Sequence, residues 1–191
     1  MKILKRMIVG LMFASLGNVA WAQTPKPIER RTSAQALEIL FNIVEKHIIS
    51  AGEAMPAVKY QFAPVNGEFK GVRTFGQQLK HLAATNYILG AAALGEKVHE
   101  DAGDEMGPEN VRTKPEIMEY VKGSFAYLRK AMEAIDDQNE VVPSDPISPL
   151  QHGTATRLGL VVESLLHAYD HYGQMVEYLR MNGVVPPASR P

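Results

Sequence analysis

Residues 154–181 read TATRLGLVVESLLHAYDHYGQMVEYLRM, and this stretch decides the fold. Leu158, Val161, Val162, Leu165, Tyr169, Met175, Tyr178 and Leu179 recur mostly three or four positions apart, which lays a broad apolar face along one long α-helix. Asn182-Gly183 is a good C-terminal signal, and Pro186-Pro187 stops any continuation. A helix with such a face must bury it against a neighbour.

Working outward, the other long periodic stretches are helical too. Thr74 with Gln77 three residues on is a capping box. Leu79, Leu82, Ala83, Asn86, Leu89 and Leu94 follow it at helical spacing, fading near Gly95. Met118, Val121, Phe125, Leu128, Met132 and Ile135 mark a helix that starts near Pro115 and closes at Asp136-Asp137. Leu37, Leu40, Phe41 and Val44 form the stripe of the first helix, which opens at Thr32 or Ser33 and ends at Ala51-Gly52. Between the first two helices, Met55-Pro56, Tyr60, Phe62, Ala63-Pro64 and Asn66-Gly67 forbid a long helix and predict an extended segment lying against the rest. Val98 to Asn110 reads as a loop, and Val141 to Gly153, with Pro143, Pro146 and Pro149, as a crossing connection. No run of alternating residues argues for a sheet. The expectation is an all-α four-helix bundle over residues 32–191.

The N-terminus reads differently. Lys2, Lys5 and Arg6 precede an uncharged apolar run, Met7 to Val19, and then Ala20-Trp21-Ala22. This is the layout of a cleavable signal peptide, residues 1–22, cut after Ala22. Residues 23–31 are then a leader into the bundle, and the expected location is periplasmic or secreted. An uncleaved membrane anchor is the competing reading; the run is short for one. Nothing later approaches a spanning length, so no stable membrane insertion is expected after cleavage.

Composition narrows the function. The chain has 191 residues, 46% hydrophobic, enough for one ordinary domain with a filled core. Its net charge is -1, and loss of three basic and no acidic residues with the signal peptide makes it -4. No global basic field exists to attract nucleic acid. There is no cysteine, which removes disulfides, thiolate metal sites and iron–sulfur clusters. Any metal must be held by imidazole, carboxylate, carbonyl or water.

Of the six histidines, His167 and His171 stand at i, i+4 on the strongest helix. Such a pair projects from one face about 5–6 Å apart and can reach one ion. Spacing alone is weak, since six histidines in 191 residues give about 0.2 such pairs by chance. A third ligand is needed. His81 lies one turn after the Thr74 capping box, at the edge of its helix's apolar stripe, where it could face the fourth helix. A histidine in that position is more often structural. Three inward histidines on two helices, however, are costly unless hydrogen-bonded or ligated.

Thr74-Phe75-Gly76-Gln77-Gln78-Leu79-Lys80-His81-Leu82-Ala83 resembles the first metal-binding helix of the DinB-like (YfiT-type) family. His167-Ala168-Tyr169-Asp170-His171-Tyr172-Gly173-Gln174, on through Tyr178-Leu179-Arg180 to Gly183 and Pro186-Pro187, is similar to that family's last helix and its exit. The Met55-Pro56 segment, with Tyr60, Phe62 and Pro64, is similar to the stretch before the first motif. The resemblance spans essentially the whole mature chain. It implies a four-helix bundle, frequent homodimers, and one divalent ion held by His81, His167 and His171. In the family that ion is commonly nickel or zinc; iron and manganese also suit imidazole.

Around the triad, Gly173 offers room for a neighbour, and Gln174 and Tyr178 stand where they could orient site water. Asp170 and Glu163 are candidates for a hydrogen bond to an imidazole. Surface or packing roles are the ordinary alternative for each. His47, His99 and His152 fall outside the motifs. Some family members resemble thiol-dependent transferases, which an oxidising compartment argues against. Three readings follow. One is a metal-dependent hydrolase or transferase acting on an unidentified small molecule, one a non-catalytic metal or small-ligand binder, and one a bundle whose histidines only fill the core.

Overall fold

Among the described residues, each of the four α-helices begins on a threonine. In the computed structural model, which describes residues 30–98, 102, 105–138, 141–143, 148, 150 and 153–191, the helices are α1 (Ser33–Ala54), α2 (Phe75–Leu94), α3 (Lys114–Glu133) and α4 (Arg157–Met181). Thr32, Thr74 and Thr113 each accept from the backbone N–H three residues on, while Gln35, Gln77 and Glu116 reach back to the cap amide. These reciprocal pairs satisfy amides that a helix start leaves without partners. Thr156 Oγ1 accepts from the Gly159 amide at 3.0 Å.

Two starts differ from the sequence reading. Helix α3 opens on the Thr113–Glu116 box, with Pro115 already inside its first turn. Helix α4 begins at Arg157, not Thr154, because the Ala155 carbonyl accepts from the Val142 amide at 2.8 Å. That bond, beside the isolated bridge between Val141 and Thr156, holds the chain extended until Thr156 can cap. The signal-peptide reading of residues 1–22 and most of the leader, residues 23–31, lie outside the described residues, as do His99, His152, Pro146 and Pro149.

Residues Arg31–Pro191 form one unit, with α2 at its centre. Fifteen of the twenty residues of α2 are buried, against a single predicted stripe. Helices α3 and α4 both pack on it, and Ala83, Ala84, Gly90, Ala91 and Ala93 are small enough to admit them closely. Phe41, Phe75, Phe125, Leu79, Leu128, Leu160, Met175 and Leu179 fill the core. On α1 the buried row runs Leu37, Phe41, Val44 and Ile48; Leu40 lies beyond its edge and is 57% exposed.

A buried polar bridge sets the register of three helices. Asn86 on α2 donates through Nδ2 to Ser124 Oγ on α3 at 3.1 Å, and its Oδ1 accepts from Ser164 Oγ on α4 at 2.7 Å. All three side chains are fully buried, so sliding one helix would leave polar groups without partners.

The segment between α1 and α2 packs against the bundle, as expected, with a 3-10 turn at Ala57–Lys59. The Tyr60 and Phe62 carbonyls accept from the Gly76 and Phe75 amides at 2.8 and 2.9 Å, completing the start of α2. Tyr60 Oη donates to the Gly52 carbonyl at 2.9 Å, and the Phe62 ring meets Tyr178 edge-on. A Cβ at Gly76 would stand 3.2 Å from the Tyr60 carbonyl oxygen, so glycine lets this segment approach. Among the described residues no helix is long and apolar enough to cross a membrane.

Candidate metal centre

The i, i+4 spacing on α4 and the burial of α2 bring three imidazoles together. His81 and His171 are 5% and 6% exposed, and His167 is half-buried. The Nε2 atom of His167 lies 3.1 Å from that of His81 and 3.0 Å from that of His171. Ring centroids are 4.5 to 4.9 Å apart, all edge-on. The group offers three ligand atoms within 4.8 Å of one another and could bind a metal ion.

The outer nitrogens decide the protons. His81 Nδ1 lies 2.8 Å from the Glu105 carbonyl oxygen. A carbonyl only accepts, so Nδ1 carries the hydrogen and Nε2 is bare. His171 Nδ1 makes a short hydrogen bond to Gln78 Oε1, and the same logic leaves its Nε2 bare. Among the described residues His167 Nδ1 is buried without a hydrogen-bond partner. A proton on His167 Nε2 could serve one neighbour and not both. Three converging acceptors with at most one hydrogen among them are matched by a cation.

Electrostatics keep the rings neutral. Burial, followed by the other two imidazoles, pulls His167 from 6.5 down to about 3. Burial, with His81 and the Arg73 guanidinium, brings His171 to about 4. Burial also lowers His81, against the opposing pull of its hydrogen bond to Glu105. Neutral imidazole is the form that ligates metals.

The sequence does not signal Glu105, whose backbone sits in the left-handed region at φ 65°, a conformation that costs a non-glycine residue energy. That geometry accompanies a carbonyl aimed at His81. The loop is tied down by Lys80 Nζ, which donates to the Pro108 carbonyl at 2.7 Å. Gln78 carries no signal in the sequence beyond its place in a motif; it is 2% exposed and grips His171.

Other sequence candidates part company. Gln174 joins Gln78 and Asp170 in a hydrogen-bonded chain. Tyr178 Oη donates to the Arg73 carbonyl at 3.2 Å, pinning the entry of α2. A Cβ at Gly173 would meet nothing within 4 Å, so no close approach requires that glycine. Glu163 bonds to Ser148 Oγ at 2.6 Å and not to an imidazole. It lines a cavity of about 460 Å³ that opens on His81 and His167, with Thr85, Leu89, Leu166 and Asp170. Burial pushes the Glu163 carboxyl up, partly offset by the Ser148 hydroxyl.

The DinB superfamily profile matches residues 15–175, which include all three histidines. This chain belongs to the DinB superfamily. Members of that family bind metals, and the convergent triad in this DinB protein suits one. No curated protein matches the chain.

Proposed function

We propose that this DinB protein holds one divalent metal ion through the Nε2 atoms of His81, His167 and His171 and acts there on a small molecule bound in the adjoining cavity. The supporting observation is the convergence of three Nε2 atoms, two of them made bare by their outer hydrogen bonds. Such an ion, when bound, is a Lewis acid that lowers the pKa of a protic ligand. Glu163 lines the same cavity one helical turn before His167, and its raised pKa suits it to take up a proton. The reaction class is metal-dependent hydrolysis or group transfer.

Nickel or zinc is the favoured ion, and iron or manganese would also suit three imidazoles. We place the mature protein in the periplasm or outside the cell, on the n-region, apolar run and Ala20-Trp21-Ala22 site. Homodimerisation follows from the family resemblance.

Titration of cobalt(II)-loaded protein with 2-mercaptoethanol tests whether the ion is open to a ligand. A sulfur-to-cobalt band in wild type, absent from His81→Ala, is expected. Cobalt bound without any thiol band would leave a closed, purely structural site.

A further inference from the structure

The chain of amides behind His171 has a direction, and a carboxylate sets it. Gln174 Nε2 donates to Asp170 Oδ2 at 3.0 Å. Gln78 Nε2 donates to Gln174 Oε1 at 2.8 Å. Gln78 Oε1 then accepts from His171 Nδ1. An amide end can be turned over, oxygen for nitrogen, at little steric cost, so neither glutamine has an intrinsic orientation. A carboxylate does, because it only accepts.

With Asp170 at the end, Gln174 must turn its NH2 outward and its oxygen toward Gln78. Gln78 must in turn offer its NH2 to Gln174 and its oxygen to His171. His171 is left one choice, a hydrogen on Nδ1 and a lone pair on Nε2. Reversing either amide sets oxygen against oxygen or NH2 against NH2. Gln78 is 2% exposed, so water is poorly placed to repair such a clash. His81 receives the same instruction from a fixed backbone carbonyl, that of Glu105. His171 has only side chains behind it, and therefore depends on how that chain is anchored.

We infer that Asp170 is a positioning residue which, through Gln174 and Gln78, fixes His171 in the tautomer that leaves Nε2 bare toward His81 and His167. The tautomer stands on hydrogen bonding alone; its consequence for affinity rests on the metal reading above. Groups behind a ligating imidazole typically change metal affinity 10–100-fold when lost.

The test is long-range ¹H–¹⁵N correlation of the histidine rings in metal-free protein at neutral pH, with a nickel titration of the same samples. Wild type is expected to show His171 protonated on Nδ1. Asp170→Asn can donate as well as accept, so the chain loses its direction. A mixture with the Nε2-protonated form is expected, nickel affinity about tenfold lower, and an unchanged melting temperature. Asp170 lies on the surface, so this variant will fold. Gln78→Leu should lose the Nδ1 preference altogether. An Nε2-protonated His171 in wild type, or an Asp170→Asn protein with wild-type tautomer and affinity, would overturn the inference. Failure of wild type to take up either nickel or zinc would remove the metal reading, while the ring spectra would still decide the tautomer.

Discussion

Helix α4 faces histidines on two sides and treats them in opposite ways. Toward α2, His167 Nε2 stands 3.1 and 3.0 Å from the Nε2 atoms of His81 and His171, with at most one hydrogen to share. Toward α1, Tyr172 stacks on the His47 ring at 5.1 Å, and the Tyr169 hydroxyl stands 3.1 Å from His47 Nδ1. A hydroxyl donates or accepts, so His47 is satisfied in either tautomer without any ion. Among the described residues the inward nitrogens of the triad have no such partner. A histidine supplied with an adaptable neighbour is structural; three that supply only acceptors to one point ask for a cation.

Alanine substitution breaks this contrast most directly. His81→Ala or His171→Ala should weaken nickel binding on the order of a hundredfold or more, exceeding the loss typical of a group behind the ligand. His47→Ala should leave affinity within about twofold. Equal losses by calorimetric titration would mean that the two seams are not distinct.

Acid should sharpen it next. His167 and His171 titrate near 3 and 4 when folded, against 6.5 ordinarily. The unfolded chain therefore takes up protons first as the pH falls. Stability of the metal-free protein should be intact above about pH 6.5 and decline from there toward pH 4, by at most about 1.4 kcal/mol per pH unit for each histidine. Urea unfolding across that range checks the slope. In His167→Ala/His171→Ala the decline should be much shallower, and an equal decline would place its origin elsewhere.

The smallest effect lies on the exposed side of α4. Gly173 is mid-helix with open space at its Cβ position, so Gly173→Ala should stabilise by about 0.5–1 kcal/mol without altering nickel affinity. At Gly90 on α2 a Cβ would stand 3.1 Å from the Tyr127 ring, and the same substitution should gain less or destabilise. Paired thermal melts separate the two.

How far the sequence carried these conclusions depends on the kind of signal. Capping residues and the period of Leu158 to Leu179 act locally, so the helices could be read within a few residues of their observed bounds. The depth of α2 could not, because its burial on several sides comes from neighbours placed far along the chain. Tyr169 shows the same limit: it fits the apolar period of α4 yet is 41% exposed beside His47. The triad was legible because helical spacing and a motif resemblance name its residues. Its support was not. The Glu105 carbonyl depends on a left-handed backbone in a polar loop, and Gln78 acquires its role only when α4 lies across it. Asp170 reads in the sequence as a candidate direct partner of an imidazole; in the structure it reaches His171 through two amides.

The central claim is that the three histidines hold one ion. Elemental analysis of the mature protein, purified without a histidine tag, beside His167→Ala/His171→Ala, tests it most directly. The account predicts close to one divalent metal per chain in wild type and none in the double variant. Absence of metal from wild type, even after reconstitution with nickel and zinc, or full occupancy in the variant, would contradict it.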